Sequence, residues 1–202
     1  MTTPAESRAR NPLDSALPTD IVKSIALVTF TDANGSSSRC TGWLINADTV
    51  VTAGHCVHGG GSGEDWHRVN SFRVYPGRDG SASPYGSCTA KRLYSVRGWT
   101  RNAADTADYG AIQLNCNIGD TVGWYGFRSA EGARGLAGVR VNVRGYPGDM
   151  VWSSLWTMAD RIRVSQREMA FYAADTYGGQ SGSCLLYTSP SPRDRTRPRM
   201  PA

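Results

Sequence analysis

The sequence predicts an all-β protein, and three observations carry that expectation. Short runs of β-branched and aromatic residues recur between Gly, Pro, Asn and Asp, at the spacing of sandwiches and barrels. The 202 residues include 23 Gly, 10 Pro, 9 Tyr and 6 Trp, so turn formers and strand formers are both plentiful. Helical periodicity is lacking, whereas Val139, Val141 and Val143 alternate with Arg140, Asn142 and Arg144, the pattern of a strand with one buried and one wet face. A chain of this length with 40% hydrophobic residues can bury one large core or two small barrel cores, which excludes a disordered chain.

The predicted strands are 24–31, 40–46, 49–53, 72–75, 88–96, 109–114, 139–144, 151–158, 161–165 and 169–173. Segment 49–53, Thr-Val-Val-Thr-Ala, is small and apolar on both faces, as suits a barrel wall, and it leads directly into His55. The net charge of +5 would prompt a search for nucleic acid or membrane partners. Four arginines against one aspartate in 184–202 account for more than half of it, however, and the body is close to neutral. Arg78, Arg92 and Arg97 read as a solvated face, and no nucleic-acid site is evident. No run of 18 apolar residues is present, so no membrane partner is predicted. Residues 1–20 are polar and lack the apolar core of a signal peptide, and they read as an N-terminal extension, the remnant of a pro-segment. Five cysteines point to disulfides and an oxidising, extracellular compartment, with one left over.

Residues 184–202 break the pattern. Pro190, Pro192, Pro198 and Pro201 leave no room for a central strand. The run from Cys184 to Asp194 resembles one translated frame of the mosaic-end adapter of transposase-made sequencing libraries, so 184–202 is read as a non-native tail. On that reading the natural cysteines number four and the parent protein continues past Ser183.

Three elements carry chemistry. Thr52-Ala53-Gly54-His55-Cys56 places a histidine at the end of an apolar strand beside a cysteine, a rigid seat for a general base. Asp108 immediately precedes the strand-like Tyr109–Leu114 segment, where a buried carboxylate can accept an imidazole N–H and fix its tautomer. Asp105 competes for that role from a more turn-like segment. Gly178-Gly179-Gln180-Ser181-Gly182-Ser183 sets a serine between glycines, whose backbone freedom can turn N–H groups inward. The amides of Gly179 and Ser181 can then receive an oxyanion while Ser181 Oγ attacks. An α/β-hydrolase elbow would need glycine where Ser183 stands. Neither His58 nor His67 has metal ligands at suitable spacing beyond Glu64 and Asp65; both read as surface histidines, and no metal site or cofactor is predicted.

With these residues in the order His, Asp, Ser, the sequence resembles the chymotrypsin-like serine proteases. More narrowly, Cys40–Ile45, Thr49–Cys56, Tyr75–Arg78, Pro84–Gly86, Gly145–Asp149 and Asp175–Ser183 are similar to the bacterial glutamyl endopeptidases, a likeness extending from Ile21 to Ser183. The resemblance implies two Greek-key β-barrels, the second incomplete here: 21–117 with His55 and Asp108, and 118–183 with Ser181. It implies a secreted, monomeric endopeptidase acting on protein or peptide substrates through an acyl-enzyme, with the catalytic residues His55, Asp108 and Ser181. It also implies a Cys40–Cys56 disulfide, leaving Cys88 and Cys116 as the second pair.

Gln180 stands where trypsin-type enzymes carry an aspartate that pairs with a new N-terminus, so activation cannot use that ion pair. For the specificity pocket, Thr176 is implied, its hydroxyl donating to a glutamate side chain; the family's pocket histidine would lie downstream of Ser183. Asp175, six residues before Ser181, instead matches the acid of enzymes that cut after Arg or Lys. A third reading is a non-catalytic homologue that binds proteins. An incomplete second barrel would leave unpaired edges, and on that ground the 202-residue chain is expected to be inactive or poorly folded.

Overall fold

A computed structural model describes residues 11–12, 22–127, 136–150, 153–166, 168–174 and 176–187. The fold is all-β; among the described residues its helices are short turns, such as α1 (Arg97–Thr100), α2 (Gly119–Val122) and the 3₁₀ turns at 54–56, 69–71 and 105–107. Its strands are β1 (Asn11–Pro12), β2 (Ile25–Thr31), β3 (Ser37–Leu44), β4 (Thr49–Thr52), β5 (Arg73–Pro76), β6 (Cys88–Ser95), β7 (Gly110–Leu114), β8 (Arg140–Gly145), β9 (Trp156–Arg161), β10 (Val164–Ser165), β11 (Ala170–Phe171) and β12 (Cys184–Tyr187). Six of them close a barrel in the order β2-β3-β4-β7-β6-β5. The order β1-β9-β8-β12 makes a second, four-stranded sheet, and β10 pairs with β11.

Strand β2 joins the two halves because it is apolar on both faces. Ala26, Val28 and Phe30 point into the barrel with Leu44, Val50, Phe72, Val74 and Ile112. Ile25 and Leu27 face the other way, onto Tyr146, Leu155 and Cys184. Alternation along the strand therefore feeds two cores from one segment. Each fully buried aliphatic side chain of this kind stabilises the fold by about 1.5–3 kcal/mol. Both disulfides form as implied, Cys40–Cys56 and Cys88–Cys116.

One strand was not predicted, and three expectations are corrected. Residues 184–187 do form a strand, β12, paired antiparallel with β8. It lies at the sheet's edge, and it alternates with Cys184 buried and Leu185 exposed. Burial pushes the Cys184 thiol up to about 12, so it stays protonated at neutral pH. Arg144, expected on a wet face, is buried, because Tyr125 and β12 cover it; it hydrogen-bonds Tyr125. Arg78 is half-buried above the Tyr75 ring and donates to Ser83, whereas Arg92 and Arg97 are exposed as expected. His58 and His67 are buried, not superficial.

Candidate active site

Register brings the first two candidate residues together. Thr52 of β4 pairs with Gly110 of β7 in an antiparallel ladder, so the chain just after β4 and the chain just before β7 leave the barrel at the same end. His55 follows in the 3₁₀ turn Gly54–Cys56, and Asp108 caps the 3₁₀ turn Asp105–Ala107. One carboxylate oxygen of Asp108 accepts the His55 backbone N–H at 2.7 Å and the other meets His55 Nδ1 at 2.7 Å. Asp105 is not in this contact; its carbonyl instead accepts the Asp108 N–H. Burial works to raise the Asp108 pKa, but the bonds from the His55 ring and backbone together outweigh it and hold the carboxyl below its ordinary value. With Nδ1 committed as donor to Asp108, Nε2 is left as the basic face of the ring.

Ser181 arrives from the other half. Its turn is anchored on the barrel strands: Thr41 N–H donates to the Ser181 carbonyl at 2.8 Å, and Cys56 Sγ lies 3.9 Å from the same oxygen. Gly179 and Gly182 have φ of +99° and +78°, in the left-handed region that side chains disfavour. A Cβ on Gly179 would meet the Tyr146 carbonyl at 2.6 Å, and one on Gly182 would meet Ala53 N at 2.7 Å, so both positions also lack the space for a side chain. The Gly179 carbonyl is tied down by Thr41 Oγ1 at 2.9 Å. Among the described residues the N–H groups of Gly179 and Ser181 have no acceptor.

The structure thus hydrogen-bonds His55 to Asp108 and seats Ser181 against the disulfide next to His55. Among the described residues no hydrogen bond joins Ser181 to the His55 ring. Gln180, in place of an acid, is buried and accepts the Tyr177 N–H through Oε1 at 3.1 Å, closing its own turn instead of forming an ion pair. Beside Ser181 opens a cavity of about 570 Å³ lined by Val143, Tyr172, Thr176, Tyr177 and residues 178 and 180–183. Thr176 is therefore at the pocket, and none of the described lining residues is charged. Asp175 lies outside the described residues.

Two contributors escaped sequence reading. Thr41 Oγ1 also accepts the Tyr146 N–H at 2.9 Å, and Thr52 Oγ1 donates to the Thr41 carbonyl at 2.7 Å, so Thr41 links β4, the Ser181 turn and the second sheet. Its position beside Cys40 was the only available signal. Trp99, buried edge-on to the His55 ring at 6.4 Å and donating to the His58 carbonyl, gave no signal at all. Among the described residues one trio could offer metal ligands, Cys40, His55 and Cys56. Both of its sulfurs are in a disulfide.

The trypsin family model matches residues 23–186. Among curated proteins, the chain is 43% identical over 148 residues to a protein of Bacillus subtilis called extracellular metalloprotease, covering 73% of this chain and 46% of that protein. It is 40% identical over 158 residues to glutamyl endopeptidase of Bacillus licheniformis, covering 78% and 48%. The chain spans about half the length of these curated relatives. Among solved structures, a Glu endopeptidase in complex with MPD superposes with a TM-score of 0.76 at 30% identity, covering 89% of this chain and 80% of that one. The protease Anisep from Arthrobacter nicotinovorans gives a TM-score of 0.72 at 25% identity, covering 91% and 83%.

Proposed function

Because the chain belongs to the trypsin family, we propose that its protein is an extracellular serine endopeptidase that cuts polypeptides after glutamate. Ser181 Oγ attacks the scissile carbonyl carbon while His55 Nε2 takes the hydroxyl proton. Asp108 holds the ring in the tautomer that leaves Nε2 bare and stabilises the imidazolium once it forms. The tetrahedral oxyanion is received by the Gly179 and Ser181 amides, and its collapse expels the amine, which takes the proton from His55. Water, deprotonated by the same imidazole, then hydrolyses the acyl-enzyme. The observation that carries this reading is the paired 2.7 Å contact of one carboxylate with both the ring and the backbone of His55.

Glutamate preference rests on the likeness to two glutamyl endopeptidases and on Thr176, a hydroxyl donor lining a cavity whose described walls are uncharged. Two disulfides, which persist in oxidising compartments, support the extracellular setting. The name of the Bacillus subtilis relative raises a metal mechanism. The one candidate trio among the described residues does not fit one, because a sulfur bonded to sulfur cannot act as a thiolate ligand. Paired fluorogenic peptides differing only in Glu or Arg before the scissile bond test the assignment on the full-length gene product. Glutamate is expected to win by about 100-fold in kcat/KM. A preference for Arg would instead place Asp175 in the pocket and overturn it.

A further inference from the structure

His67 is buried in the barrel half, and both of its ring nitrogens are engaged. Ala33 N–H approaches Nδ1 at 3.2 Å, so Nδ1 accepts. Nε2 lies 3.0 Å from the backbone carbonyl of His55, and since a carbonyl only accepts, Nε2 carries the hydrogen. One neutral tautomer satisfies both bonds. The ring is stacked on Phe30 with centroids 5.0 Å apart, and Phe30 is stacked on Phe72 at 4.8 Å, which fixes its plane against the barrel core. Residue 55 is therefore held at both ends of its backbone, its N–H by Asp108 and its carbonyl by His67.

The His55 side chain is 43% exposed, so packing restrains it weakly and hydrogen bonds must set its direction. We propose that His67 is a positioning residue for His55: its Nε2–H fixes the carbonyl of residue 55, and with it the pivot about which the imidazole meets Asp108. The proposal rests on the reading of His55 as general base. A merely structural histidine would matter through its stack on Phe30, whereas a positioning one matters through Nε2.

Two substitutions separate these roles. H67Q places an amide N–H near the Nε2 position, and H67F keeps the stack while losing both hydrogen bonds. In the full-length gene product, H67F is expected to lower kcat about tenfold with KM little changed, while H67Q stays within about threefold of wild type. In the same ¹⁵N-histidine-labelled full-length gene product, the downfield His55 Nδ1 proton should persist in H67Q and broaden or shift in H67F. An H67F protein with wild-type kcat and an unchanged His55 resonance overturns the proposal. Should H67F not fold, the wild-type ¹⁵N shifts decide: a bare Nδ1 and protonated Nε2 on His67 support it, and the opposite tautomer refutes it. A His67-dependent resonance in a full-length protein without peptidase activity would refute the proposed activity and leave the positioning role standing.

Discussion

His55 and Asp108 are both supplied by the closed barrel, at the shared end of β4 and β7, whereas Ser181 rides on a turn leading into β12 at the edge of an open sheet. The His55–Asp108 pair is held by bonds made within one unit: the Thr52–Gly110 register, the carboxylate of Asp108 and the ring of His67. The Ser181 turn closes on itself through Gln180 and is held from both sides, by Thr41 of β3 and by the contact of Gly148 N–H with the Gly178 carbonyl at 2.6 Å. On the proposed mechanism, the barrel would build the base by itself, while the position of the proposed nucleophile would depend on how the two halves meet.

Breaking the barrel's own pair should have the largest effect. Asp108→Asn removes the acceptor that fixes the tautomer, and kcat is expected to fall about 10⁴-fold with the fold intact, measured by steady-state kinetics and circular dichroism. The same substitution has a signature in acid. Because the folded-state pKa of Asp108 is lowered, its stabilising contribution is full above the ordinary value of 3.8 and is lost as pH falls through the lower folded value. Acid denaturation of the variant should be flatter across that interval.

The disulfides sharpen the comparison, because only one of them touches both halves. Cys40–Cys56 separates residues by 16 and Cys88–Cys116 by 28, so removing them should cost about 3.1 and about 3.6 kcal/mol respectively on the loop-entropy model. Urea denaturation reads these costs. Only the alanine pair at 40 and 56 should also slow turnover, since Cys56 packs on the Ser181 carbonyl. The smallest effect belongs to Thr41→Val, which keeps shape but releases the Gly179 carbonyl and the Tyr146 N–H. Turnover should drop about tenfold through the displaced Ser181 turn. The His55 Nδ1 proton resonance should be unchanged, and a change in it would show that the halves are not held independently.

Much of the barrel was legible in the sequence because short β-branched and apolar runs are local signals: Ile25–Thr31, Thr49–Thr52 and Gly110–Leu114 announce themselves within a few residues. The candidate residues His55, Asp108 and Ser181 were legible for the same reason, each lying in a short distinctive run. What escaped was decided by partners remote in sequence. His67 looked superficial because nothing near it reveals Ala33 and the His55 carbonyl. Arg144 was assigned to water by a strand pattern that cannot see Tyr125 or β12 covering it. Strand β12 was missed because the prolines that follow it dominate composition, although Cys184-Leu185-Leu186-Tyr187 pairs residue by residue with β8. The start of β3 at Ser37 was missed because its serines are paired with Thr31 and Phe30 across the ladder, a stabilisation that carries no hydrophobic signature.

The most direct test is covalent. A fluorophosphonate probe applied to the full-length gene product, followed by peptide mapping, should modify Ser181 alone, and His55→Ala should abolish the label without unfolding the protein. A label on another serine, or undiminished labelling of Ser181 when His55 is removed, would contradict the account.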